Sequence, residues 1–215
     1  MVMCRTKVTV VLGDDHPFIR QGVRRLLERE EFEIVGEGSD GLEVVALADH
    51  FHPDVILLDI SMPTLNGIGA VRELTRVSPV SKVIVLTMHT EEHYILEALR
   101  AGVKGCVSKT QAPEHLLQAI REVCRGGIYL SPSVSGVVVQ GYLSKSEKPF
   151  DPLTDRERQV MQLIAEGKTT KEVAVILGVS VKTAESHRSS LMAKLDIHST
   201  AEVVRYAIRR GLVEP

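Results

Sequence analysis

Val55-Ile56-Leu57-Leu58-Asp59-Ile60-Ser61-Met62-Pro63-Thr64-Leu65-Asn66-Gly67 runs from four apolar residues to a carboxylate, then into a stretch punctuated by Pro63 and Gly67. An apolar run this short, bounded by turn residues, reads as a strand buried on both faces. The same pattern recurs on either side. Val8-Thr9-Val10-Val11-Leu12 leads to Asp14-Asp15, Val83-Ile84-Val85-Leu86 to Thr87, and Cys106-Val107-Ser108 to Lys109. Helical patterns near residues 16–29, 41–50, 67–76, 91–100 and 113–124 alternate with strands near 7–12, 33–37, 55–58, 82–86 and 105–107. Alternation of this kind predicts an α/β fold with a parallel sheet of five strands. In the helix near 16–29, Ile19, Val23, Leu26 and Leu27 form the inward stripe, and Arg20, Arg24, Arg25 and Glu28 face outward.

Ligand sites of open parallel sheets lie beyond the carboxyl ends of the strands. Asp14, Asp15, Asp59, Thr87 and Lys109 therefore meet at one edge, although nearly a hundred residues separate the first from the last. Three carboxylates, a hydroxyl and an ammonium can hold a divalent cation and a phosphoryl group. Asp59 is the natural acceptor. Asp15, with Asp14 and a backbone carbonyl near Ser61, supplies the hard oxygen ligands that Mg²⁺ prefers. Lys109 is placed to pair with one phosphoryl oxygen, and the Thr87 hydroxyl to donate to another. Taken singly, a strand-end Asp is more often a helix cap and a lone Lys is usually solvated; only the joint placement favours a site. The chain has no P-loop and no kinase signature, so the phosphoryl group must come from an activated donor.

Composition sets bounds on the rest. The 215 residues suffice for one large domain or two small ones, and 44% hydrophobic content with no Trp implies cores of Val, Leu, Ile and Ala. A net charge of −2 gives no bulk attraction to nucleic acid, so any DNA contact must rest on local placement of charge. Three cysteines, without metal-ligand spacing, fit a reduced compartment. The first residues lack a signal-peptide core, and no apolar stretch approaches the ~20 residues of a membrane span. A cytoplasmic location is expected.

Beyond Arg125 the alternation fades. Gly126-Gly127 is a break, a short helix can open at Ser131-Pro132 and run through Val139, and residues 144–149 read as a polar linker. The expected division is a first domain over 1–124, a linker over 125–150 and a helical domain over 151–215. Thr154/Glu157, Thr169/Glu172 and Ser199/Glu202 are capping boxes, Ser180 is an N-cap, and Gly167 and Gly178 mark helix ends. They predict four helices, near 155–166, 170–177, 181–195 and 200–210. The second and third, with a turn at Gly178-Val179-Ser180, have helix-turn-helix proportions. On the third, Ala184, Leu191 and Leu195 face Val173, Leu177 and Leu163, while Lys182, Thr183, Glu185, Ser186, Arg188 and Ser189 point away as candidate DNA contacts. Lys168, Lys171 and Lys194 lie near helix ends, where phosphate contacts are expected. The bland alternative is a four-helix interaction bundle with solvated charges.

Asp14-Asp15, the D-x-x-M-P-x-x-x-G stretch from Asp59 to Gly67, Thr87 and Lys109 together resemble the receiver domain of two-component response regulators. Leu153–Arg158, Ile164–Gly167, Lys171–Ala174 and Val179–Leu195 are similar to the LuxR-type DNA-binding domain, and the two in series resemble the NarL/FixJ group. The resemblance implies a flavodoxin-like receiver with strand order 2-1-3-4-5, phosphotransfer to Asp59 from a cognate histidine kinase, Mg²⁺ as cofactor, and promoter DNA as partner. It also implies a homodimer when phosphorylated or DNA-bound, and RNA polymerase as a further partner. The family usually has an aromatic residue three positions before the lysine; Cys106 stands there, which leaves no ring to swing between buried and exposed states. Gly13 is unusually small for its place, and His89 and Ser61 would border an attacking water. Glu185 occupies a position that is often basic, and can accept from a cytosine amino group. Two rivals follow. A phosphatase using an aspartyl-phosphate would need an acid at position 61, which is Ser; a phosphorylation-independent DNA binder would carry a vestigial receiver.

Overall fold

The computed structural model describes residues 7–30, 32–88, 92–111, 113–143, 152–210 and 212–213. His89 and the polar linker at 144–149 lie outside the described residues. The chain alternates β1 (Val8–Gly13), α1 (Pro17–Glu28), β2 (Phe32–Gly38), α2 (Gly41–Phe51), β3 (Val55–Asp59), α3 (Gly67–Val77), β4 (Lys82–Thr87), α4 (Glu92–Arg100), β5 (Gly105–Ser108) and α5 (Pro113–Cys124). The parallel strands pair in the order β2-β1-β3-β4-β5 expected, with β3 central and buried along its whole length.

Strand alternation sorts the core into two layers. Val11, Ile56, Leu58 and Val85 face α2, α3 and α4, where Val44, Val71 and Ile95 meet them. Val10, Leu12, Leu57, Ile84 and Val107 face the other way, toward Leu27 of α1 and Leu116 and Ile120 of α5. Of the stripe expected on α1, only Leu27 is fully buried.

The sheet has six strands rather than the five expected. β6 (Tyr129–Leu130) adds to β5 in parallel, and α6 (Pro132–Leu143) follows it. Backbone bonds flank the added pairing, Tyr129 N–H to Lys104 O at 3.0 Å and Ser131 N–H to Cys106 O at 3.0 Å. A two-residue edge strand has no periodicity to read, which is why sequence patterning misses it. The helix expected through Val139 continues to Leu143.

The C-terminal helices are α7 (Asp155–Ala165), α8 (Thr170–Ile176), α9 (Val181–Leu195) and α10 (Thr200–Arg209). All three capping boxes form, and Ser180 accepts from the Thr183 amide. Gly167 (φ 82°) and Gly178 (φ 62°) end α7 and α8 in the left-handed region, as their places in the sequence require. Leu163, Val173, Ala184, Leu191, Val203 and Ala207 fill a core of their own. Among the described residues no helix is long and apolar enough to cross a membrane.

Candidate functional site

Parallel strands deliver their last residues to one edge, and the five predicted side chains arrive there from four of them. Asp59 ends β3, Thr87 ends β4, Asp14 and Asp15 follow β1, and Lys109 follows β5. Local sequence fixes the loops. The Gly67 amide donates to Ile60 O at 2.8 Å, folding the β3–α3 loop back on itself. A Cβ at Gly67 would sit 2.2 Å from the Asp59 carbonyl oxygen, so only Gly permits that closure. Gly13 has an equally direct reason: its Cβ would fall 2.5 Å from Val44 Cγ2, and its absence lets α2 lie close behind the acidic pair.

Lys109 Nζ is 2.6 Å from Asp59 Oδ2 and 2.8 Å from Asp14 Oδ2. Asp59 is 3% exposed and Asp14 is fully buried. Burial raises the Asp59 carboxyl above its ordinary pKa; Lys109 pulls the other way, Asp14 adds to the rise, and the Ser61 amide, donating to Asp59 Oδ1 at 3.3 Å, opposes it. Burial also works against the Lys109 charge, yet the two carboxylates hold that ammonium above its usual range. Asp14 Oδ1 accepts from the His16 amide at 2.8 Å, and Asp15 Oδ1 lies 2.7 Å from His16 Nδ1. Thr87 is buried, and its carbonyl accepts from the Lys109 amide at 2.8 Å.

One ligand atom each from Asp14, Asp15, His16 and Asp59 can be chosen so that all lie within 4.8 Å of one another. Asp14 Oδ2 and Asp15 Oδ1 are buried without a well-aligned hydrogen bond, and meet Lys109 and His16 only at ion-pair distance. Buried carboxylate oxygens with unused lone pairs fit a hard, oxygen-seeking cation. His16 is absent from the sequence reading of this group; its one signal was adjacency to Asp14-Asp15.

On α9, Ala184 and Leu191 are buried against the helical core as predicted, and Lys182, Thr183, Glu185, Ser186 and Ser189 are exposed. Lys168 and Lys171 are exposed beside the start of α8. Two other candidates are engaged within the protein. Arg188 bridges Thr170 Oγ1 (3.4 Å) and Thr200 Oγ1 (2.8 Å). Lys194 pairs with the buried Glu157 at 2.7 Å. Lys194, Ser190 and Thr154 overcome the cost of burying Glu157 and draw its pKa down to about 2.

Sequence reasoning missed a third feature. Helix α7 packs on the loop that follows the acceptor strand. Gln162 Nε2 donates to Met62 O (3.0 Å), the Asn66 amide donates to Gln162 Oε1 (2.9 Å), and the Thr64 amide donates to Glu166 Oε1 (3.0 Å). Beside them Arg72 bridges Asp155 and Glu97. Their partners on the loop are backbone groups, which carry no sequence signature.

Residues 10–121 match the response regulator receiver domain family, and residues 151–207 match the luxR family of bacterial regulatory proteins. The chain is 34% identical to the transcriptional regulatory protein DegU of Brevibacillus brevis over 226 residues, covering 97% of this chain and 96% of that protein. It is 36% identical to the response regulator UvrY of Escherichia coli strain K12 over 208 residues, or 95% of each. Among solved structures, RcsB of Salmonella enterica serovar Typhimurium, bound to promoter rprA with the phosphomimetic BeF₃⁻, superposes with a TM-score of 0.63 at 28% identity, covering 93% of this chain and 98% of that one.

Proposed function

This chain belongs to the two-component response regulators of the NarL/FixJ group, a receiver joined to a LuxR-type DNA-binding domain that regulates transcription, and we propose that it acts by phosphorylation of Asp59. The observation that carries the reading is the Asp59–Lys109–Asp14 contact, in which one ammonium pairs with two buried carboxylates at the acceptor edge. An Asp59 carboxylate oxygen attacks the phosphorus of a phosphohistidine on the cognate histidine kinase; the new O–P bond forms as the P–N bond breaks. Lys109 opposes the effect of burial on the attacking carboxylate and favours its charged form, then pairs with a phosphoryl oxygen. Thr87 donates its hydroxyl to another. Asp14, Asp15, Asp59 and the Ser61 backbone carbonyl would hold Mg²⁺, which supplies positive charge between the incoming phosphoryl group and the carboxylates.

The output is DNA binding. Thr183, Glu185 and Ser186, on the exposed N-terminal half of α9, reach base edges in the major groove, and Lys168, Lys171, Lys182 and Ser189 reach phosphates. Arg188 acts through the helix packing that it bridges, or exchanges that bridge for a phosphate. A homodimer presents two such helices to half-sites about one turn apart, ~34 Å, and RNA polymerase then reads the bound complex.

Mass measurement after treatment with acetyl phosphate and Mg²⁺ tests the acceptor: one phosphoryl group adds to the wild-type chain and none to Asp59→Asn. Footprinting at fixed salt tests the output, with tighter protection after phosphorylation expected. Retained labelling of Asp59→Asn overturns the assignment, and equal DNA affinity with and without the donor leaves the receiver without a regulatory role.

A further inference from the structure

The β3–α3 loop takes its shape partly from the other domain. Gln162, 1% exposed, grips the loop twice, at the Met62 carbonyl and the Asn66 amide. Glu166 grips it between those points, through the Thr64 amide. Thr64 sits at φ 67°, a left-handed conformation that a non-glycine residue keeps only when its surroundings enforce it. Gln162 also donates to Glu166 Oε1 at 2.7 Å, so the two side chains act as one unit.

The loop begins at the acceptor. The Ser61 amide donates to Asp59 Oδ1, and Gln162 holds the carbonyl of Met62, the following residue. Glu166 also lines a cavity of about 260 Å³ with Asp15, Ser61, Pro63 and Leu212, which places a carboxylate of the DNA-binding domain at the rim of the acidic pocket. Cys106 is 1% exposed and shares a core cluster with Val134 of α6, so position 106 carries no ring to swing. The docked arrangement leaves Lys182, Thr183, Glu185 and Ser186 exposed, so it does not act by covering the recognition face.

Resting on Asp59 as the acceptor, we infer that Gln162 and Glu166 are positioning residues of the phosphoacceptor loop and the receiver of its signal. They hold residues 62–66 in the shape that belongs to the unmodified carboxylate. A phosphoryl group brings about −1.5 to −2 charge, alters the Ser61 hydrogen bond, repels Glu166 and loosens α7. Linkage makes the coupling reciprocal: a docked α7 also slows phosphoryl uptake.

The test uses the full chain, with peptide-resolved hydrogen exchange over residues 62–66 and the rate of Asp59 labelling by acetyl phosphate with Mg²⁺. In the wild type, exchange over 62–66 rises when Mg²⁺ and beryllofluoride are added. Gln162→Ala raises that exchange beforehand and speeds labelling about fivefold or more. Glu166→Gln retains an acceptor for the Thr64 amide but loses the charge, so 62–66 stays protected after beryllofluoride; a merely destabilised variant would do the opposite. Normal labelling of the wild type, with both variants matching it in rate and exchange, overturns the inference alone. A wild-type chain that takes no label overturns the acceptor assignment and the inference together.

Discussion

Lys109 places one ammonium between two buried carboxylates, 2.6 Å from Asp59 and 2.8 Å from Asp14, and so keeps like charges in a site that solvent barely reaches. Removing one partner of a buried ionic group costs about 3–5 kcal/mol, because the remaining charge is left uncompensated. Lys109→Met is therefore expected to destabilise the receiver by about 3 kcal/mol in metal-free buffer. Millimolar Mg²⁺ should recover part of the loss, since a cation in the pocket restores the missing positive charge. Denaturant unfolding with and without Mg²⁺ measures both quantities; a loss that Mg²⁺ leaves unchanged would remove the pocket as a cation site.

Gly13 and Val44 form a steric pair. A Cβ at position 13 would meet Val44 Cγ2 at 2.5 Å, far inside van der Waals contact, and Val44 is fully buried. Gly13→Ala is expected to cost about 1–3 kcal/mol by overpacking. In the double variant with Val44→Ala, the two changes should fall short of additivity by about 1 kcal/mol or more. Denaturant midpoints of the four chains in the cycle check this, and strict additivity would put the strain elsewhere.

How far the sequence reached depended on the kind of interaction. Asp14, Asp15, Asp59, Thr87 and Lys109 were legible because a parallel sheet with helical crossovers sends every strand end to one edge, so the convergence follows from topology alone. The capping boxes were legible because each lies within four residues. β6 was not, because two residues joined by backbone bonds leave no pattern. Arg188 and Lys194 sit on a polar helix face where sequence cannot separate a residue waiting for DNA from one held by Thr200 or Glu157. The grip of Gln162 on Met62 O and Asn66 N was invisible for a related reason: a buried Gln on α7 looks like any surface Gln until its backbone partners are placed.

Cys106 and Cys124 separate chemically. Burial pushes the Cys106 thiol up to about 12; it also raises the Cys124 thiol, but Cys124 is exposed. Only the thiolate is nucleophilic, so Cys106 is protected twice, by access and by protonation. Brief alkylation at pH 7.5 followed by peptide mass analysis should modify Cys124 and leave Cys106 intact until denaturant is added. Modification of Cys106 in the native chain at a rate near that of Cys124 would contradict its place in the core.

Lys182 and Lys194 stand on one helix but should fail differently when removed. Lys182 is exposed, and its proposed role is a contact to a DNA phosphate. Lys182→Ala is expected to weaken binding across all sequences and to lower the salt slope by about 1. Lys194 pairs with Glu157, whose second oxygen accepts from Ser190 at 2.6 Å. Lys194→Ala or Glu157→Gln should lower the stability of the helical domain by about 2 kcal/mol, the scale of hydrogen bonds to a charged group. The sign of the pH dependence follows from the direction of the shift. Glu157 has a folded pKa of about 2, drawn down from 4.5, so its contribution is complete above about 4.5 and is lost as pH falls toward 2. The stability gap between wild type and Glu157→Gln should thus be constant near neutrality and close below pH 4.5. Unfolding of both chains from pH 7 to pH 3 measures it; a gap that widens on acidification would mean that the carboxylate is not held in its charged form by Lys194.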